Sequence, residues 1–286
     1  IGSADNICFL YPGIEAQFQP LVEDVCAHFG VATPPCLTPE NLEEQGMGVV
    51  QLGRTLTSIA QQCGLSPSVM AGHSVGEWTA MIASGLIQED AVDQLIGGFE
   101  ANTLEVPGVV FLAIGAGVAR FEELLSEFDD VHLTHDNCPH QSVVVGSDAS
   151  IAVFQDRLKS LQILSQVLPF QSGFHSPLFA PFIEPHERRF SQLPMGAPEV
   201  PVWSATHLKR FPSDETTIRR WAMEHLTEPV RFRELIEALY EDGARIFLQV
   251  GTGSIPGFVQ DTLKGKPHLA MSLSSEVRSG WNQIRR

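Results

Sequence analysis

Gly72-His73-Ser74-Val75-Gly76 follows the apolar run Val69-Met70-Ala71 and precedes a predicted helix over residues 79–84. The five residues match the pattern G-x-S-x-G, in which a serine occupies a sharp turn between a buried strand and a helix. Glycines on both sides let the backbone pass closely, and the following helix N-terminus stabilises negative charge near the serine oxygen. This context predicts that Ser74 is a nucleophile at the carboxyl edge of a parallel sheet.

Outside this turn, apolar runs of strand length alternate with segments that have helical periodicity. The predicted strands cover residues 7–11, 66–71 and 245–250, and the predicted helices cover residues 49–62, 79–84, 88–99, 181–190 and 232–239. Alternation of this kind is typical of an α/β layer fold with parallel strands.

The pattern changes near Pro107 to β-α-β-β-α-β, which is the order of a ferredoxin-like unit. Its predicted strands cover residues 109–114, 131–134, 142–146 and 163–168, and its helices cover residues 119–128 and 149–158. We therefore predict a large α/β-hydrolase-like domain, residues 1–106 and 172–286, with an inserted ferredoxin-like α+β subdomain at residues 107–171. The two units are expected to share a cleft.

The charge balance excludes several classes of partner. The 286 residues include 18 Lys and Arg against 34 Asp and Glu, a formal net charge of −16. Such a surface repels phosphate backbones and anionic lipid, so we expect neither nucleic acid nor a membrane as partner. Five scattered cysteines form no disulfide or zinc pattern, which favours a reducing cytosol. The start at Ile1 suggests a domain cut from a longer polypeptide.

A serine hydroxyl needs a base to remove its proton, and the chain offers ten histidines. His175 lies in Ser172-Gly173-Phe174-His175-Ser176-Pro177, directly after the predicted return from the inserted subdomain, where cleft residues belong. His268 lies near the C-terminus, where an esterase would have its base. His73 adjoins Ser74 and is expected to support the site rather than to act as the base.

Two motifs together carry a family resemblance. Gly72-His73-Ser74-Val75-Gly76-Glu77, followed later by Phe174-His175-Ser176-Pro177, resembles the acyltransferase (malonyl-CoA:ACP transacylase-like) domains of polyketide and fatty-acid synthases. Four further segments are similar to motifs of that family: Phe9-Leu10-Tyr11-Pro12-Gly13-Ile14-Glu15-Ala16-Gln17, Asn137-Cys138-Pro139-His140-Gln141, Glu228-Pro229-Val230-Arg231-Phe232 and Gln249-Val250-Gly251-Thr252-Gly253. The resemblance extends over nearly the whole chain.

The resemblance implies a ping-pong acyl transfer. Ser74 would attack the thioester of an acyl-CoA or of an acyl carrier, with His175 as base, to form an acyl-serine. The phosphopantetheine thiol of an acyl carrier protein would then accept the acyl group, with no bound cofactor and no metal. Adjacent synthase domains, such as a ketosynthase, are implied as further partners.

The resemblance also implies roles around this dyad. The backbone N–H groups of Ile14 and Val75 would form the oxyanion hole, and a backbone carbonyl near Gln249 would orient the base. The substrate-binding residues would include His73, Asn137 and Gln141, whose side chains are expected to line the cleft.

Departures from the family pattern bear on the acyl group. Malonyl-type members place an Arg in the helix after the nucleophile, where this chain has Gly98. A carboxylate in a dry pocket without a cationic partner is costly, so we expect a neutral, non-malonyl acyl group unless Arg231 or Arg233 reaches the site. Gly173 is expected to deepen the acyl pocket, and Phe174 to contact substrate or core.

Two alternatives stay open at this point. A serine esterase or thioesterase would use Ser74 with His268 as base and Asp242 or Asp261 as the acid. A non-catalytic scaffold domain of a synthase would retain the pocket without its reactivity. An unreactive Ser74 would favour the scaffold.

Overall fold

The molecule contains one largely parallel sheet and one antiparallel sheet. The computed structural model describes residues 6–88, Val92 and residues 103–274. Six strands form the large sheet in the order β10-β9-β1-β2-β7-β8, with only β8 antiparallel to its neighbour. These strands are β1 (Ile7–Tyr11), β2 (Val69–Gly72), β7 (Val202–Ser204), β8 (Lys209–Arg210), β9 (Ile246–Gln249) and β10 (Leu269–Ser272).

Four strands form the small sheet in the order β4-β5-β3-β6, and every pair in it is antiparallel. They are β3 (Val109–Ile114), β4 (Val131–Cys138), β5 (Gln141–Ser147) and β6 (Ser165–Val167). The described α-helices are α1 (Glu23–Phe29), α2 (Leu42–Gln62), α3 (Val75–Ala83), α4 (Glu122–Leu125), α5 (Asp148–Ser160), α6 (Glu184–Phe190), α7 (Glu215–Glu224), α8 (Phe232–Glu241) and α9 (Ile255–Thr262). None of them is long and apolar enough to cross a membrane.

The large sheet is covered on both faces, as its apolar strands predict. Phe9 and Tyr11 of β1 belong to the hydrophobic cluster that α2 and α3 complete. Cys8 and Leu10, which alternate with them, belong to the cluster that α8 and α9 complete. Successive side chains of a strand point to opposite faces, so an unbroken apolar run is what a doubly covered parallel sheet requires. The predicted α/β class with a parallel sheet is confirmed.

The small sheet confirms the predicted separate α+β unit, with differences in element length. The helix predicted over residues 119–128 is shorter, because a 3₁₀ turn (Val118–Arg120) precedes α4. The strand predicted over residues 131–134 continues to Cys138, because its main chain pairs with a distant segment as well as with β5. The predicted helix over residues 88–99 lies almost wholly outside the described residues, and the domain limits at 107 and 171 stay a prediction.

Main-chain hydrogen bonds attach the small sheet to the segment before α8. Val230 N–H donates to the Thr134 carbonyl at 2.8 Å, and Asp136 N–H donates to the Val230 carbonyl at 3.0 Å. The Arg233 guanidinium donates twice to Asp136 Oδ2, at 3.0 and 2.8 Å. These contacts hold β4 against the segment before α8 and against α8 itself.

Candidate active site

Ser74 occupies the turn between β2 and α3 with φ 55° and ψ −126°, a conformation that is strained for a residue with a side chain. The turn is so tight that glycine is required on both sides of it. A Cβ at Gly72 would lie 1.9 Å from the carbonyl carbon of Gly76, and one at Gly76 would lie 2.0 Å from the Tyr11 oxygen. The G-x-S-x-G pattern therefore forms the sharp turn that it predicts.

Ser74 and His175 form a hydrogen-bonded dyad. Ser74 Oγ lies 2.7 Å from His175 Nε2, and His175 Nδ1 lies 2.7 Å from the main-chain oxygen of His225. A carbonyl oxygen only accepts, so Nδ1 carries the proton and Nε2 is left to accept the proton of Ser74. His175 is 3% exposed, and its main-chain N–H donates to the Leu226 carbonyl at 2.8 Å. Hydrogen bonds from both its ring and its main chain thus hold His175 in place.

The expected role of Gln249 is wrong. The carbonyl that orients the base belongs to His225, because residues 225–226 cross directly behind His175. The Gln249 side chain instead donates to the Gly251 carbonyl and to Ser272 Oγ and accepts from the Ile255 N–H. It fixes the turn after β9.

His225 also bonds to the nucleophile turn through its ring. Its Nε2 donates to the Ser74 carbonyl oxygen at 3.0 Å, and its Nδ1 lies 2.9 Å from Thr206 Oγ1. Glu77, which is fully buried, lies 3.6 Å from the same Nδ1 and accepts from Ala205 N–H and Ser204 Oγ. Burial raises the pKa of Glu77. The charge of His225 and the hydrogen bonds that Glu77 accepts from Ala205 and Ser204 partly offset this rise. Sequence reasoning missed His225, although it lies just before the Glu228–Phe232 motif.

Four imidazoles, which we call the histidine cluster, surround Ser74: His73, His135, His175 and His225. Three ring pairs, His73–His135, His135–His175 and His175–His225, have centroids 4.9 Å apart. Desolvation lowers the pKa of His73 to about 4, and it lowers the pKa values of His135 and His175 well below their ordinary value. His175 is therefore neutral near pH 7 and able to accept a proton. His135 was not predicted from the sequence.

Two cavities meet at Ser74 and His175. The outer cleft, of about 160 Å³, carries polar side chains from the small sheet. In it His73 Nε2 donates to Asn137 Oδ1 at 2.7 Å, and Asn137 Nδ2 donates to Gln141 Oε1 at 2.5 Å. The structure therefore brings the three predicted cleft residues together as one hydrogen-bonded chain beside the nucleophile.

The second cavity, which we call the inner chamber, is about 120 Å³, shares Ser74 and His175 with the outer cleft and has largely apolar walls. The residues that line it include Gly46, Met47, Val50, Trp78, Ile82 and Phe174. Among the described residues that line it there is no Lys or Arg, and one carboxylate, Glu43, is present. Arg231 bonds to Glu234 and Arg233 bonds to Asp136, and neither lines a cavity. Gly98 lies outside the described residues.

Gly173 was expected to deepen the acyl pocket, but it does not. A Cβ there would lie 3.0 Å from Leu178 and Phe179 main-chain atoms, so this glycine allows two backbone segments to approach. Phe174, by contrast, lines both cavities.

Ile14 and Val75 border the reacting atoms. Ile14 lines both cavities, and Val75 is the first residue of α3 and lines the inner chamber. Within the described ranges, neither main-chain N–H has a hydrogen-bond acceptor. Two available donors beside Ser74 can stabilise an oxyanion.

The esterase triad is not assembled. His268 Nδ1 contacts the Lys266 carbonyl at 2.8 Å, Asp242 accepts from Arg210, and Asp261 contacts His140. None of His268, Asp242 and Asp261 is among the residues that line either cavity.

Comparison with known proteins identifies related chains. The family model described as "Acyl transferase domain" matches residues 43–268. The non-reducing polyketide synthase stmB of Aspergillus ustus is 25% identical over 247 residues, 83% of this chain and 12% of that protein. The malonyl CoA-acyl carrier protein transacylase of Bacillus subtilis (strain 168) is 28% identical over 214 residues, 70% of this chain and 67% of that protein. The chain thus spans only a small part of the large synthase.

Solved structures share the fold. An acyltransferase domain from the second module of the salinomycin polyketide synthase superposes with a TM-score of 0.83 at 21% identity, covering 98% of this chain and 71% of that one. A malonyl-transacylase, solved in complex with its type II polyketide synthase acyl-carrier protein, has a TM-score of 0.84 at 19% identity, covering 98% of this chain and 99% of that one.

Proposed function

Because the chain belongs to the family of acyl transferase domains, we propose that it moves an acyl group from an acyl-CoA or acyl-carrier thioester to the phosphopantetheine thiol of an acyl carrier protein. The observation that carries this proposal is the 2.7 Å contact between Ser74 Oγ and His175 Nε2 where the two cavities meet. A nucleophile and its base within hydrogen-bond reach are the geometry that covalent acyl transfer needs.

The reaction runs in two halves. Ser74 Oγ attacks the thioester carbonyl carbon while its proton passes to His175 Nε2. The C–S bond then breaks, the departing thiolate takes that proton, and an acyl-serine ester is left. In the second half the carrier thiol gives its proton to His175 and its sulfur attacks the ester carbonyl carbon. The bond between that carbon and Ser74 Oγ then breaks, and Ser74 Oγ takes the proton back from His175 to restore the alcohol. The Ile14 and Val75 N–H groups would stabilise the oxyanion of each tetrahedral intermediate.

We propose a neutral acyl group rather than malonyl. The inner chamber is apolar and, among its described lining residues, carries a carboxylate and no cation. Burying a second carboxylate there would cost several kcal/mol. The name of the Bacillus subtilis relative points instead to malonyl transfer, so the acyl group is the part of the proposal that most needs a direct test.

The proposed partner is an acyl carrier protein. It would reach Ser74 through the outer cleft, since the polar side chains of Asn137 and Gln141 line that cavity whereas the inner chamber is largely apolar. The solved transacylase with its acyl-carrier protein supports this partner, and the match to part of a large polyketide synthase supports neighbouring synthase domains, for which a ketosynthase stays our prediction.

Intact-mass spectrometry tests the proposal. The protein is incubated with acetyl-, butyryl-, hexanoyl-, octanoyl- and malonyl-CoA, beside Ser74→Ala, His175→Ala and His268→Ala. We expect one acyl group on the wild-type chain, none on Ser74→Ala, a loading rate at least 100-fold lower on His175→Ala, and normal loading on His268→Ala. Addition of a holo carrier protein should discharge the ester.

Three outcomes would contradict parts of the proposal. Efficient malonyl loading would end the neutral-acyl assignment. Free acid released without any carrier would favour the esterase. A Ser74 that neither accepts an acyl group nor reacts with a fluorophosphonate would favour a scaffold.

A further inference from the structure

A carboxylate oxygen and an indole N–H, both buried on residues that line the inner chamber, have no hydrogen-bond partner. Glu43 is 3% exposed, and its Oε1 accepts from the Leu104 N–H at 2.9 Å, but its Oε2 has no partner. Trp78 Nε1, on α3, is also buried without one. Both residues line the chamber, whose other walls are almost wholly apolar.

Such atoms are uncommon in folded proteins, because a buried polar group left unpaired costs about 1–3 kcal/mol. The chamber wall also includes His175, His186 and His225, but neither atom forms a hydrogen bond with any of them, and the apolar side chains supply nothing that could pair with them. A polar ligand group that pairs with these atoms would remove the free-energy cost of leaving them unpaired. The chain would then bind ligands that carry this group more tightly than ligands that lack it.

The two atoms have opposite hydrogen-bonding character, which defines the group. Glu43 Oε2 accepts, and Trp78 Nε1 donates. A hydroxyl offers a proton to the first and lone pairs to the second. An ammonium group offers only protons, and a ketone offers only lone pairs. A carboxylate would repel Glu43. Of these groups, the hydroxyl is the one that both donates and accepts through a single atom, so it suits both partners.

The volume of the chamber limits the chain that carries it. A cavity of about 150 Å³ holds benzene, and this one is about 120 Å³. The space therefore suits about four to six non-hydrogen atoms beyond the thioester carbonyl.

We propose that the acyl group is a short aliphatic chain that bears a hydroxyl, and that Glu43 and Trp78 select it by accepting from and donating to that hydroxyl. This inference rests on the proposed function, since it takes the inner chamber as the acyl site of Ser74. It assigns to Glu43 and Trp78 a specificity role toward a hydroxyacyl thioester.

The test compares matched donors by their rate of acyl-Ser74 formation. Butyryl-CoA is paired with 3-hydroxybutyryl-CoA, and hexanoyl-CoA with 3- and 6-hydroxyhexanoyl-CoA. For the wild-type chain we expect at least one hydroxylated donor to load 10-fold faster than its unsubstituted partner. In Glu43→Gln and in Trp78→Phe that ratio should fall to within threefold of one, whatever the absolute rates. Glu44→Gln, on the same helix, is the control and should keep the wild-type ratio.

The outcomes separate the two proposals. If unsubstituted donors load as fast as every hydroxylated one, the hydroxyl selectivity is overturned and the acyl transfer stands. The hydroxyl selectivity is also overturned if the wild-type ratio of loading rates survives in both variants. If Glu43→Gln does not fold, the ratio measured in Trp78→Phe alone decides whether the selectivity stands. If no thioester loads at all, both proposals fail.

Discussion

His225 contacts both Ser74 and His175, one through its ring and the other through its main chain. Its main-chain oxygen accepts from His175 Nδ1, and its ring Nε2 donates to the Ser74 carbonyl. A shift of residue 225 would therefore move the base and strain the nucleophile turn together. We regard His225 as a positioning residue.

Replacing His225 tests this role. His225→Leu removes the ring's hydrogen bonds to the Ser74 carbonyl and to Thr206 Oγ1 but keeps the main-chain oxygen, so the Ser74 carbonyl retains the Glu77 N–H as a partner while the other ring contacts are lost. We expect a loss of about 1–3 kcal/mol in the free energy of unfolding and at least a 10-fold lower kcat/KM for acyl loading, whereas His225→Gln should recover much of both. Urea unfolding and intact-mass kinetics measure them. An unchanged kcat/KM in the Leu variant would refute the role.

The acid limb of the pH–rate profile reports His175. In the proposed mechanism its neutral form is the base, and desolvation, followed by the charge of His225, lowers its pKa well below the ordinary value. Because a lowered pKa keeps the imidazole neutral to lower pH, kcat/KM should stay level as pH falls from 7.5 past 6.5 and decline only below that point. An acyl-pantetheine donor avoids titration of the CoA phosphates. A midpoint at or above 6.5 would contradict the expectation.

At the scale of elements, patterns local in sequence were predictable. The apolar run of β1 and the glycine-flanked turn before α3 depend on neighbouring residues, and both form as expected. The extension of β4 to Cys138 and the role of His225 depend on segments that meet only in the folded chain. Gly173 shows the same limit, since its need for close backbone contact has no sequence signal that separates it from a pocket glycine.

Helix α2 supplies a direct test of the inner chamber. A Cβ at Gly46 meets no atom within 4 Å, and Gly46 lines the chamber, so Gly46→Leu should fill it. The hexanoyl-to-acetyl ratio of loading rates should then fall at least 10-fold. Gly257→Leu is the matched control, because Gly257 is also a helical glycine with open space beside it but lines neither cavity.

Both glycine substitutions should raise helix propensity by a similar amount, so a change in melting temperature common to both is expected. A normal hexanoyl ratio in a folded Gly46→Leu chain would show that the chamber is not the acyl site.

At the scale of the whole molecule, the histidine cluster links stability to pH. The pKa values of His73, His135 and His175 are lowered in the folded chain, to about 4 for His73, against about 6.5 when unfolded. The unfolded chain therefore binds more protons below pH 6.5, and stability falls as pH drops from there toward 4. Together, three such residues change the free energy of unfolding by up to about 4 kcal/mol per pH unit.

Urea unfolding at pH 7, 6 and 5 measures this slope. His135→Gln should make it shallower by about a third, because one of the three groups is removed. Equal free energies of unfolding at pH 7 and pH 5 would contradict the prediction.

The bonds between Val230 and β4 have a consequence for how substrates are admitted. Because main-chain hydrogen bonds, together with the Arg233–Asp136 pair, join β4 to the segment before α8, we expect the width of the outer cleft to change little when a substrate enters. Specificity would then depend on the shape and chemistry of the side chains that line the two cavities, so altering it calls for substitutions in those walls rather than in the connection between β4 and residue 230.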